Sequence, residues 1–196
     1  HDPATPELSP RSLPDALPIF GLYLHLPFCR KLCHFCYFRV YTDKNASEVA
    51  EYLDVLGREW ELYATQPAIA GRPLRFIYFG GGTPSFLSVR QLRGLVDRLS
   101  RVTPWIGAEE ITFECEPGTL TEPKLAAIRD MGITRLSLGL EHFDDQVLEL
   151  NGRAHRSAEI FRAYTFAQAL DFPQLNLDLI ARMPGEIGRA PGRERG

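Results

Sequence analysis

Cys29, Cys33 and Cys36 follow one another at a C-x3-C-x2-C spacing, directly after the apolar-rich run at residues 20–26. Thiolates this close in sequence can converge on one metal centre. Three of them satisfy three irons of a 4Fe-4S cube and leave the fourth iron open to a ligand that is not protein, whereas a cluster that only carries electrons generally takes four cysteines. An open iron implies chemistry at the cluster itself. A structural zinc site would need a fourth ligand from His25, His34 or the distant Cys115. A disulfide is disfavoured, because close cysteines in a chain without a secretory leader point to a reducing compartment.

A second motif is the triple glycine at residues 80–84, GGGTP. Glycines allow close backbone approach to a ligand and dihedral angles barred to other residues. The motif lacks the Gly-Lys-Ser/Thr ending of a phosphate P-loop, and it is not G-x-G-x-x-G either. By itself it reads equally well as a tight strand-to-helix turn. Beside a cysteine loop it becomes a cradle for the ligand of an open iron.

Elements of alternating period must position both motifs. Strand-like runs are expected at residues 20–26, 74–79, 110–114, 133–140 and 175–180. Between them, a helix over residues 46–64 carries Val49, Tyr52, Leu53, Leu56 and Trp60 on one face. Ser88 with Gln91 forms a capping box for the next helix, Thr121 caps a third, and Gly132 ends it. Helical stretches at 144–150 and 157–170 complete the alternation. Such an order predicts an α/β fold with parallel strands, either a partial (β/α) barrel or an open doubly wound sheet. In both, ligands bind at the carboxyl ends of the strands, which puts the cysteine loop and the glycine loop on one face.

The 196 residues, 44% of them hydrophobic, suffice for one core of a single soluble domain. A net charge of -3 with acidic and basic residues dispersed argues against a nucleic-acid footprint and for a small-molecule substrate. No apolar run has the length of a membrane span, and no apolar leader opens the chain, so the expected location is cytoplasmic. Residues 1–19, rich in proline, and 186–196, rich in glycine and arginine, carry no apolar period. Residues 16–19 and 187–190 can be encoded by the two strands of one adapter-like duplex, so both ends are expected to be non-native and the core to run over residues 20–185 of a longer natural protein.

The cysteine spacing with Phe35 inside it, followed by the glycine loop, resembles the radical S-adenosylmethionine (SAM) superfamily. The runs LYLHLPFC at 22–29, FGGGTPS at 79–85, EPG at 116–118 and LDLI at 177–180 resemble its oxygen-independent coproporphyrinogen III oxidase group, which also contains haem chaperones and methyltransferases. The resemblance covers residues 20–186 and implies a radical SAM barrel holding a 4Fe-4S cluster through Cys29, Cys33 and Cys36. It implies that Tyr23, Phe35, Gly81, Gly82, Thr83, Glu114, Glu141, Arg153 and Asp178 bind SAM, with Glu141 standing where the oxidases carry glutamine. An electron from the cluster would then cleave SAM to a 5'-deoxyadenosyl radical that acts on a substrate, with a tetrapyrrole as the group's precedent. The implied partner is an external electron donor such as flavodoxin or ferredoxin. Tyr37 and Phe38 stand where the oxidases have Gly-Cys, a departure compatible with a haem chaperone. On residue chemistry alone, Glu114 and Asp178 could equally face solvent or pair with arginine, Arg153 could be a surface residue, and Cys115 a buried thiol. His142 and His155 fall in loops with no motif to recommend them.

Overall fold

The computed structural model describes residues 19–186. The expected non-core ends at 1–19 and 186–196 lie outside the described residues apart from Ile19 and Glu186. Five strands form one sheet: β1 (Gly21–Leu26), β2 (Phe76–Gly81), β3 (Glu110–Cys115), β4 (Arg135–Glu141) and β5 (Gln174–Leu179). Their order in the sheet is their order in the chain, and every neighbouring pair is parallel. A doubly wound sheet reverses direction at a switch point, which a sequential order lacks. Because parallel crossovers are right-handed, connections that always step the same way place every helix on one side. The sheet is therefore an arc of a (β/α) barrel, and the doubly wound alternative falls away.

The helices are α1 (Ala46–Ala64), α2 (Val89–Val102), α3 (Glu122–Asp130), α4 (Asp145–Leu150) and α5 (Ser157–Ala169). Their starts follow the sequence signals closely. Asn45 and Glu48 close a capping box on α1, Ser88 and Gln91 close one on α2, and Thr121 caps α3. Gly132, at φ +87°, turns the chain out of α3 in the left-handed conformation that a side chain disfavours.

Alternation along each strand sends one set of side chains outward and the other inward. The outward set, including Leu24, Leu26, Ile77, Phe79, Phe113, Leu136 and Leu138, shares one core with Leu53 and Trp60 of α1, Leu92 and Leu99 of α2, Leu125 and Ile128 of α3, and Ile160 of α5. On β5, Leu175 packs against the core, whereas Leu177 and Leu179 are 41% and 58% exposed among the described residues. The inward set is polar. Tyr23, Tyr78, Thr112 and Arg135 occupy one row across four strands, and Glu114, Ser137 and Asn176 the row nearer the carboxyl ends. This polar inner face leads up to the loops that carry the two motifs.

Candidate cluster and cofactor site

The cysteine loop leaves the end of β1 and is anchored by backbone bonds. Phe28 bridges Tyr41 in parallel, the Cys29 amide donates to the Tyr41 carbonyl at 3.0 Å, and the Tyr41 amide donates to the Pro27 carbonyl at 2.7 Å. The loop also reaches across the sheet, because the His34 amide donates to the Asn151 carbonyl and its Nδ1 lies 2.8 Å from the Leu150 carbonyl oxygen. His34 is thus a hydrogen-bonding residue of the loop.

The glycine loop seats itself against this segment. The Gly82 amide donates to the Leu26 carbonyl and the Thr83 amide to the Phe28 carbonyl. Gly81 has φ +110°, and a Cβ on Gly82 would lie 2.9 Å from the backbone N and O of Phe28 and 3.0 Å from the Cys29 sulfur. Two glycines are required here, one for its dihedral and one for the close approach. The Thr83 hydroxyl donates to the Cys29 sulfur at 3.3 Å. Burial pushes the Cys29 thiol up, and that hydroxyl partly offsets the shift.

Two adjoining cavities open at the carboxyl ends of the strands. The first is lined by Cys29, Cys33, Cys36 and Phe35 together with Gly81, and the second by Glu114, Ser137, Gly139 and Asp178. Gly82, Thr83, Glu116, Glu141 and Arg153 line both. A larger groove of about 610 Å³ lies between α1 and α2, but its walls carry no cysteine and its Arg98 is already forked onto Glu61 and Asp54. The cysteine cavity is the chemically equipped one.

Arg153 sits at the join of the two cavities with its side chain only 10% exposed, so it is no surface residue. Its Nη1 donates to the Cys33 sulfur at 3.2 Å, its Nη2 donates to the Gly139 carbonyl at 2.6 Å, and Glu141 Oε1 lies 3.7 Å away. Its buried Nε has no hydrogen-bond partner among the described residues. An orphaned donor of this kind costs free energy unless a ligand satisfies it. Glu141 takes φ +66° beside an irregularity in the β4–β5 pairing, which turns its carboxylate toward Arg153. Burial raises the Glu141 carboxyl against the pull of Arg153.

Glu114 accepts from the Tyr78 hydroxyl at 2.6 Å, and burial raises its pKa in spite of that bond. Asp178 accepts from Ser137 and from Asn176, each at 2.8 Å. Both carboxylates therefore point into the arc, and among the described residues neither pairs with arginine. Tyr23 is placed differently from the other candidates: it is 55% exposed, stacks on Tyr78 with ring centroids 5.8 Å apart, and lines neither cavity. Its link to the site runs through Tyr78 to Glu114. Cys115 is a buried thiol, 5% exposed, with its pKa raised by that burial.

Sequence reasoning counted none of Arg30, Glu116 and His155 among the site residues, although the EPG run contains Glu116 and His155 was weighed as a loop histidine. Glu116 lies in the EPG run, and its carboxylate accepts from Arg30 Nε at 3.0 Å, Arg30 Nη2 at 2.8 Å and the Gly118 amide at 3.1 Å, with His155 Nδ1 at 3.0 Å. Burial works to raise this carboxyl, but His155 and Arg30 outweigh it and hold the pKa at about 2. His155 is fully buried, which its loop position did not suggest. The EPG run pointed to Glu116, whereas nothing local pointed to His155.

The donor set fits an iron–sulfur cluster. Three cysteine sulfurs line one cavity, and three thiolates suffice for three irons of a 4Fe-4S cube. The neighbouring polar cavity, with four carboxylates and one arginine on its walls, suits a cationic ligand that also carries a carboxylate.

Comparison with known proteins agrees. Residues 23–189 match the model of the Radical SAM superfamily. The heme chaperone HemW of Bacillus subtilis is 36% identical over 165 residues, covering 84% of this chain and 43% of the relative. The oxygen-independent coproporphyrinogen III oxidase of Escherichia coli is 33% identical over 164 residues, covering 84% and 35%. The solved structure of coproporphyrinogen III oxidase (HemN) from Escherichia coli superposes with a TM-score of 0.75 at 32% identity, over 84% of this chain and 38% of that one. The chain thus spans about two-fifths of the length of these relatives. With the family model matching most of its residues, the chain belongs to the radical SAM superfamily.

Proposed function

We propose that this chain is the cluster- and SAM-binding part of an enzyme acting on a tetrapyrrole, in the manner of the oxygen-independent coproporphyrinogen III oxidases. Cys29, Cys33 and Cys36 would hold the 4Fe-4S cluster. Gly81, Gly82 and Thr83 would cradle the amino-acid end of SAM, with Glu114, Glu141, Arg153 and Asp178 around it. When bound, cluster and SAM supply one-electron chemistry capable of taking hydrogen from an unactivated carbon. The protein's own part is positional and electrostatic: Thr83 and Arg153 donate to the cysteine sulfurs, and Arg153 Nε offers a buried donor to the SAM carboxylate. The reading rests above all on the shared wall of Gly82, Thr83, Glu141 and Arg153, which puts the cysteine cavity and the carboxylate cavity in contact. Electrons would come from an external flavodoxin or ferredoxin.

A second reading, a haem chaperone, is favoured by one observation. Tyr37 and Phe38 stack with centroids 4.7 Å apart and stand 88% and 49% exposed, in place of the Gly-Cys of the oxidases. The test is electron paramagnetic resonance of the anaerobically reconstituted, reduced chain with and without SAM, followed by haem titration. A cluster signal that shifts with SAM supports the enzyme, and stoichiometric haem uptake without SAM cleavage supports the chaperone. A chain that takes up zinc and no iron would overturn both.

A further inference from the structure

Glu116 lines both cavities, and both oxygens of its carboxylate are already engaged within the protein. Oε1 meets Arg30 Nη2, the Gly118 amide and His155 Nδ1, and Oε2 accepts from Arg30 Nε. His155 in turn faces the Leu140 carbonyl oxygen through Nε2, at 3.2 Å. The partners are themselves placed at the cluster site. Arg30 is bonded in sequence to Cys29, and His155 lies two residues from Arg153, which donates to the Cys33 sulfur. The Glu116 amide also donates to the buried Ser85 hydroxyl at 3.0 Å, which connects it to the chain just after the glycine loop. Gly118 keeps this arrangement open, since a Cβ there would collide with the Arg30 guanidinium.

We propose that Glu116 is the positioning residue of the cluster site: one buried carboxylate clamps the Cys29 side of the cavity through Arg30 and the Arg153 side through His155. It acts on the site through Arg30 and His155 rather than as a metal ligand. It sets the distance between two walls contributed by chain segments far apart in sequence, and so pre-forms the cavity that Cys29 and Cys33 line. The effect on the cluster rests on the function proposed above, but the effect on the cavity's cysteines in metal-free protein does not. Partners one shell out from metal ligands commonly change metal affinity by about 10–100-fold when removed.

The test uses Glu116→Gln, Glu116→Asp and Arg30→Lys in the full chain. The first readout is the rate at which iodoacetamide alkylates each cysteine of the metal-free protein, resolved by mass spectrometry, with buried Cys115 as internal control. Glu116→Gln should speed alkylation of Cys29 and Cys33 several-fold and leave Cys115 unchanged, and Glu116→Asp should restore part of the protection. Arg30→Lys keeps the charge at a half-exposed position, loses the fork, and should shift the same two cysteines by less. The second readout is iron loss to a chelator from the reconstituted protein together with the cluster midpoint potential, both of which should move in Glu116→Gln. Unchanged Cys29 and Cys33 rates in folded Glu116→Gln, or in Arg30→Lys should the first variant not fold, would overturn the proposal. Equal acceleration of Cys115 would also overturn it, by reducing Glu116 to a general stabiliser. Wild-type protein that takes up no iron refutes the proposed function while leaving the alkylation result to decide this one.

Discussion

The two faces of one sheet were built for opposite purposes. Leu24, Phe79, Phe113 and Leu138 on the outer face are at most 1% exposed and pack against helices. Their strand neighbours Tyr23, Tyr78, Glu114 and Ser137 turn inward, where polar groups bond to one another and to the edge of the candidate site. The outer face holds the fold by non-directional burial, while the inner face carries directional bonds whose net worth to stability is small. Substitutions on the two faces should therefore fail differently.

The sharpest contrast comes from Cys29→Ala. We expect complete loss of cluster uptake, read as iron and sulfide content after reconstitution, with the fold retained in circular dichroism. Phe113→Ala should do the reverse, costing about 3–5 kcal/mol of stability by leaving a cavity, as measured by urea denaturation. Gly82→Ala lies where the faces meet. Its Cβ would press on the Phe28 backbone and the Cys29 sulfur, so about 1–3 kcal/mol of overpacking should accompany weakened cluster binding. A wild-type-like variant would show that the loops are looser than they look.

Acid offers a subtler separation. The Glu116 carboxyl is held at about 2 against a reference of 4.5, so the folded state binds its proton less readily than the unfolded one. Its contribution to stability is present above about pH 4.5 and is lost as pH falls toward 2. Glu114 has the opposite sign: its raised pKa means that ionisation disfavours the folded state, and stability falls as pH rises through its folded value. Glu114→Gln should therefore be at least as stable as the parent at neutral pH while binding SAM about tenfold or more weakly, the scale of one charged hydrogen bond. Thermal melts across pH and SAM titration of the reconstituted protein check both halves. The smallest effect is expected from Leu177→Ala, under about 1 kcal/mol, because this outer-face residue of β5 lies exposed and creates little cavity when truncated.

Much of this was legible in the residues. The 46–64 helix appears with those bounds, the capping boxes of Ser88 and Thr121's cap form as read, and the strands fall within about two residues of expectation. Periodicity and caps are local signals, so sequence carries them directly. Cys29, Cys33, Cys36 and Phe35 come together because they share one short loop, and the glycine loop meets them because parallel strands end on one side. Tyr23 is the informative exception. Its motif placed it with the ligand, but strand alternation aims it at Tyr78, below the cavity rim.

What sequence by itself determined is thus the class of chemistry and the succession of elements, since both are written in spacing along the chain. Only the tertiary structure decided between barrel arc and doubly wound sheet, because strand order is a property of the assembled sheet. It alone brought Arg30, Glu116 and His155 together across separations of 86 and 39 residues, and buried Arg153 at the join of two cavities with a donor that meets no partner among the described residues. Those contacts form between residues with no shared period or motif, and their energy arises only when burial removes the water that would otherwise satisfy each group.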